Sequence, residues 1–340
     1  MRLIYLQCRN LGDAVIGTGL VEALPNHIIE VFTRPAFAQI YQNNPHIAAV
    51  HTASFPMGTN NPFGIGDFTN LLDRIFHLRR RKFDAAVTVT GDIREIILGW
   101  LIVPRGNYGV KFASGNAFAR SVRKGGGNLL CASVTMPSDD TNMYSIISCL
   151  ADLLGATKPA RQCLYDAQKQ PLKNNRSSAV IGLHLSAGQA CRLWPIEHWR
   201  QLIAALRARG KNVVIFAAPS ERTHVEESLK PIMGSMVEIS TGDLSNFFER
   251  LRNVRALVGL DSFSTHAAQA VGTPAVFITG PTPAELFSPP DAAVIAGGPG
   301  LPCYPCYNKP TCVGRASQYA CMARATVQQV LIELEKLGAL

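Results

Sequence analysis

Residues 179–217 read AVIGLHLSAGQACRLWPIEHWRQLIAALRARGKNVVIFA. The stretch opens on a short apolar run, 179–185, which ends in small and polar residues and so predicts a buried strand. A helix is predicted over 196–209, entered after Trp194-Pro195 and stopped at Gly210, and a second apolar strand follows at 212–217. Strand, helix and strand at this spacing imply two parallel strands joined by a covering helix.

The same alternation extends in both directions. Downstream come a helix near 220–230, a strand at 236–239, a helix at 243–252, a strand at 256–259, a helix at 264–271 and a strand at 274–278. Upstream, strands at 2–7, 28–33 and 84–89 alternate with helices at 13–24, 68–81, 92–102 and 141–154. Residues 155–178 carry Pro159, Pro171, Asn174 and Asn175 with no apolar period. The expected organisation is an N-terminal domain at 1–160, a linker at 161–178, a C-terminal domain at 179–325 and a terminal helix at 326–340. The fold class is α/β, two Rossmann-like doubly wound parallel-sheet domains facing a central cleft.

The 340 residues are 47% hydrophobic and 17% charged, enough apolar material for a sizeable core. Apolar runs reach about eight residues where a membrane span needs about 20. The N-terminus has no secretory-signal pattern and reads as a first strand, so a cytoplasmic protein is expected. Net charge is +9, and between Arg74 and Lys124 eleven Lys/Arg face three acids. Such a segment suits an anionic partner, whether nucleic acid, an anionic lipid surface or a phosphorylated substrate, unless it is a plain solvated face. Aromatics are 8% and no nucleic-acid-binding signature occurs, which excludes nucleic acid as the first choice.

Doubly wound domains bind ligands at the carboxyl ends of their strands. Four loops qualify. Asn10-Leu11-Gly12-Asp13 offers a carboxylate able to take a proton from a hydroxyl, or merely to cap the helix it opens. His184 to Arg192 offers the Ser186 hydroxyl, Gly188 and the Arg192 guanidinium, suited to phosphate. Ala218-Pro219-Ser220-Glu221 places an acid where Rossmann domains bind ribose, or where it caps the next helix. Gly259 to His266 brings Asp261, Ser262 and the N–H groups of a helix start. No G-x-G-x-x-G follows either first strand, which disfavours a dehydrogenase.

In this order these residues resemble glycosyltransferase family 9, the ADP-heptose–lipopolysaccharide heptosyltransferases. The matches are Leu11-Gly12-Asp13 with Ala23-Leu24, then His184 through Arg192-Leu193-Trp194-Pro195 with Glu197-His198-Trp199. The most specific is Gly259-x-Asp261-Ser262-x-x-x-His266-x-Ala268-x-Ala270-x-Gly272-Thr273-Pro274, followed by Gly280-Pro281-Thr282. The resemblance implies a GT-B architecture and an inverting, metal-independent transfer of heptose from ADP-heptose to a lipopolysaccharide inner-core acceptor. By position, Asp13 is then the general base. Ser186, Arg192, Ser262, Phe263 and His266 are the donor diphosphate site, Glu221 the ribose acid, and Asp261 and Gly12 the sugar contacts. A phosphorylated glycolipid acceptor at the anionic inner leaflet implies Arg79, Arg80, Arg81, Arg120, Arg123 and Lys124 as its docking residues, with the protein peripheral to the inner membrane. Three positions depart from the family: Arg192 replaces Lys, Phe263 replaces Gly and Gly19 replaces Pro. Heptose transfer to a protein, transfer of another sugar, and a non-catalytic nucleotide-sugar-binding scaffold are the competing readings.

Cys303-x2-Cys306-x5-Cys312-x8-Cys321 has the composition of a four-thiolate structural metal site, zinc first and iron second, against free reduced thiols. No cofactor is expected for catalysis itself.

Overall fold

The structure, a computed structural model, describes residues 1–56, 63–114, 126–138, 142–307 and 309–340. The chain divides into two compact units, Met1–Gln170 and Pro171–Leu340. Each carries a six-stranded parallel sheet.

In the first unit the strands are β1 (Arg2–Gln7), β2 (Ile28–Thr33), β3 (Ile47–Thr52), β4 (Ala85–Thr88), β5 (Asn107–Ser114) and β6 (Ala132–Ser138). Their order is β3-β2-β1-β4-β5-β6. Helices of eight residues or more are α1 (Leu11–Ala23), α2 (Ile65–Arg80), α3 (Ile93–Ile102) and α4 (Met143–Leu153). β1 and β4 are apolar almost throughout because helices cover both faces of a parallel sheet. α2 and α3 pack together, as do α1 and α4.

The second unit has β7 (Ile181–His184), β8 (Val213–Ala217), β9 (Val237–Thr241), β10 (Ala256–Leu260), β11 (Ala275–Thr279) and β12 (Ala293–Ala296), ordered β12-β11-β10-β7-β8-β9. Its longer helices are α5 (Ile196–Ala208), α6 (Arg222–Leu229), α7 (Leu244–Leu251), α8 (Phe263–Val271) and α9 (Val327–Lys336). Trp194, Trp199, Leu202 and Leu206 enter its core with the strands, and Val330, Leu331 and Leu334 of α9 close it.

Four strands, β3, β5, β6 and β12, go beyond the sequence expectation. Three of them are sheet edges, and β5 carries Gly109 and Lys111 between its apolar residues. Residues 161–178 are pinned to both units. Cys163 N donates to Thr18 Oγ1 at 3.2 Å, Tyr165 donates to Glu22 at 2.8 Å, and Asn174 Nδ2 donates to Arg252 O, Val254 O and Thr273 Oγ1.

Candidate active site

In both sheets successive strands run outward in opposite directions from a central pair, so the loops after that pair diverge and leave room for a ligand. The pair is β1 and β4 in the first unit and β7 and β10 in the second.

After β1 the chain enters α1 through Asn10, an extended N-cap residue. Asp13 follows in the first turn, 5% exposed. Asn10 Nδ2 donates to Asp13 Oδ2 at 3.0 Å, and Arg9 Nε lies 3.7 Å from the same oxygen. The carboxylate is thus fixed in direction, with a cation just beyond hydrogen-bond length. Gly12 precedes it, partly exposed.

Two residues at this end of the sheet went unread in the sequence. Glu95, in the first turn of α3, is fully buried. Its Oε1 accepts from Cys8 N at 2.7 Å and its Oε2 from Thr90 Oγ1 at 2.5 Å, tying the chain after β1 to the chain after β4. Burial pushes this carboxyl up to about 7 against the pull of those two donors. Gln7, the last residue of β1, is also fully buried, and its side-chain amide has no hydrogen-bond partner among the described residues. A polar residue breaking a buried strand, and an acid inside an apolar helix, were the available signals.

Arg79, Arg80 and Arg81 sit elsewhere. They end α2, which leads into the start of β4, so they stand at the amino edge of the sheet while Asp13 stands at its carboxyl edge. Arg81 is committed to the fold, since its guanidinium bonds the buried Glu30 at 2.9 Å. Arg120, Arg123 and Lys124 lie outside the described residues.

In the second unit the chain after β7 delivers Arg192 to Asp261, which directly follows β10. The guanidinium Nη1 lies 3.2 Å from Asp261 Oδ2. Ser262, the extended N-cap residue of α8, places its hydroxyl 3.0 Å from Ser264 Oγ and 3.5 Å from His184 Nδ1. Phe263 opens α8 and is half-buried, its ring edge-on to His184 at 5.5 Å and 5.1 Å from Phe247. The side chain that departs from the family pattern therefore joins an aromatic group with Phe216 and Phe247. Ser186 is partly exposed on the same side. Glu221 spends one oxygen on the Ala218 N–H at 2.9 Å, a cap on its own turn, and stays partly exposed. Burial pushes His184 and His266 down to about 4, so both are neutral at pH 7 and His266 brings no positive charge to a phosphate.

The clustered cysteines line one cavity of about 150 Å³ with Cys191 as a fifth. Among the described residues, however, no group of three or more His, Cys, Asp or Glu side chains is placed to hold a metal ion. Burial, followed by neighbouring thiols, raises Cys306, and burial takes Cys321 to about 11, so these thiols keep their protons.

Residues 129–316, more than half of the chain, match the model of glycosyltransferase family 9 (heptosyltransferase). No curated protein matches the chain. Among solved structures, Escherichia coli heptosyltransferase WaaC with ADP has TM-score 0.75 and 16% identity, covering 99% of this chain and 100% of that one. E. coli ADP-heptose lipopolysaccharide heptosyltransferase II has TM-score 0.72 and 18% identity, covering 99% and 98%. The iron-containing dodecameric glycosyltransferase TibC of enterotoxigenic E. coli has TM-score 0.56 and 16% identity, covering 99% and 76%. The two six-stranded parallel sheets are those of the GT-B heptosyltransferases.

Proposed function

The chain belongs to glycosyltransferase family 9, the heptosyltransferases, and from that premise we propose that it moves heptose from ADP-heptose to a phosphorylated lipopolysaccharide core, with inversion and with Asp13 as the base. The observation that carries this reading is the Asp13 carboxylate, steered by Asn10 at the carboxyl end of the first sheet's central strands. Asp13 takes the proton of the acceptor hydroxyl as that oxygen bonds to the anomeric carbon and the carbon–oxygen bond to the diphosphate breaks. A positioned base supplies about 10²–10⁴-fold. Negative charge gathers on the departing ADP, where Arg192, Ser186 and the N–H groups that open α8 meet it. Asp261 holds Arg192 in place before the donor arrives and releases part of its grip to the diphosphate. The Glu221 oxygen not used as a cap is left for the ribose.

Asp13→Asn is expected to lower transfer by 10²–10⁴-fold while ADP affinity, measured by calorimetry, stays within about twofold. Unchanged turnover removes Asp13 from the chemistry.

Phe263 favours a second reading, a donor sugar other than heptose, because its ring stands where the family has no side chain. A thermal-shift screen of ADP-, GDP- and UDP-sugars separates the two, since the true donor raises the melting temperature most.

No described helix is long and apolar enough to cross a membrane. The acceptor reading therefore places the protein peripherally on the inner leaflet, drawn by basic residues such as Arg79 and Arg80 at about 1 kcal/mol each.

A further inference from the structure

We infer that the outer face of α2 and α3 is an interfacial membrane-insertion surface for anionic lipid. α2 carries two apolar stripes. Leu71, Ile75 and Leu78 enter the first unit's core. Ile65, Phe68, Leu72 and Phe76 recur at i, i+3, i+7 and i+11 on the adjoining face, where a soluble helix is normally polar. Ile65 is 85% exposed, Phe68 51% and Phe76 61%, and α3 adds Ile97 at 41% and Trp100 at 40%. The two helices pack side by side, and Arg79 Nη1 donates to Leu101 O at 3.1 Å, joining their ends.

Exposed apolar side chains scattered singly need no explanation, but a run along one helix face, with two more on the helix packed beside it, marks a contact surface. The charge at its end selects the occupant. Arg79 and Arg80 end the stripe, both exposed, with the exposed Lys82 just beyond. A second copy of the chain is the alternative occupant, and the double substitution below tests it. An anionic lipid surface meets both demands: headgroups pair with the arginines, and Phe, Ile and Trp settle into the headgroup–acyl boundary, where aromatic rings are favoured. Binding then has an apolar component that salt does not screen.

The choice of lipid rests on the glycolipid-acceptor reading, but the surface does not. Failure of the Asp13 test leaves it standing, and its own failure leaves Asp13 untouched.

The test uses vesicles of phosphatidylcholine with 30% phosphatidylglycerol, with and without bromine on the acyl chains. Of the three tryptophans only Trp100 is exposed, Trp194 and Trp199 being buried in the second unit. Bound protein is expected to lose tryptophan fluorescence to brominated lipid, and Trp100→Phe to bind but lose that quenching. Phe68→Ser combined with Phe76→Ser is expected to weaken vesicle binding at least tenfold at low salt, with its melting temperature and donor affinity retained. Binding without quenching, binding unaffected by the double substitution, or a self-association abolished by it overturns the assignment.

Discussion

Glu30 and Glu95 are both buried carboxyls of the first unit, and they titrate in opposite directions. Burial alone would raise Glu30, but hydrogen bonds from Arg81, His51 and Arg2 outweigh it and hold the group at about 2. The stability it contributes is present above its ordinary value of 4.5 and is lost as pH falls toward 2. Glu95 runs the other way. Raised from 4.5 to about 7 by burial, it keeps in the folded state a proton that the unfolded chain has shed. Stability therefore declines as pH climbs from about 4.5 to about 7, by roughly 3 kcal/mol for a displacement of this size. Glu95→Gln retains an acceptor for the Cys8 N–H and is expected to flatten that decline, read as urea midpoint against pH, while leaving the acid limb in place. Glu30→Gln is expected to do the reverse. It weakens the acid limb, and at neutral pH it destabilises by about 1–3 kcal/mol because the partly exposed Arg2 and Arg81 lose their shared carboxylate. A Glu95→Gln midpoint that tracks the parent through this window shows that Glu95 does not carry the proton.

Helix α1 shows why some of this structure was legible in the sequence and some was not. Its position between two apolar strands marks it as a covering helix, and the family pattern marks Asp13 on its first turn. The reason for Gly19 appears only in three dimensions. A Cβ there would lie 2.8 Å from the Ala160 carbonyl oxygen, so the glycine lets residues 160–163 cross the helix. Backbone cannot yield as a side-chain tip can. Gly19→Ala is expected to cost about 1–3 kcal/mol in urea unfolding and to open the 160–170 segment to protease. The inner strands were readable because burial on both faces leaves continuous apolar runs. Of the four edges only β9 was read, because one side of an edge strand meets solvent and its pattern dissolves: β3 reads IAAVHT and β12 only AVIA, while the inner β5 was missed because Gly109 and Lys111 interrupt its apolar run. Asp13, Arg192 and Asp261 stand after the strand ends where the sequence placed them. Their partners did not follow from spacing, since Cys8 and Glu95 are 87 residues apart and Arg192 and Asp261 are 69 apart. Topology, which local pattern does not encode, brings them together. The same gap explains the basic segment, where a count of charges could not say that Arg79 to Arg81 belong to the amino edge of the sheet.

At the scale of the whole molecule, the two units repeat one plan, and each ties the chains leaving its central strands through a carboxylate: Glu95 in the first unit and Asp261 in the second. The first tie is buried and closed upon its own backbone and hydroxyl donors. The second is an ion pair whose arginine remains 20% exposed, so its cation can be shared with an incoming anion. On the proposed reading ADP binds the second unit, and that predicts how the molecule melts. At 100 times its dissociation constant, a ligand that binds only the folded state adds about 2.7 kcal/mol, which for a domain of this size raises melting by roughly 5–10 °C. The rise is expected in calorimetry of the full chain with ADP, and hydrogen-exchange protection is expected in peptides covering 184–195 and 261–266 but not 8–13. Arg192→Ala removes a charge-assisted contact of about 1.5–3 kcal/mol. It is expected to weaken ADP binding by roughly 10- to 150-fold, and to erase roughly half to nine-tenths of the rise at the same ADP concentration. Protection appearing instead around Cys8 to Asp13, with the 184–195 peptide unchanged, would show that the nucleotide binds the first unit and reverse the roles given to the two sheets.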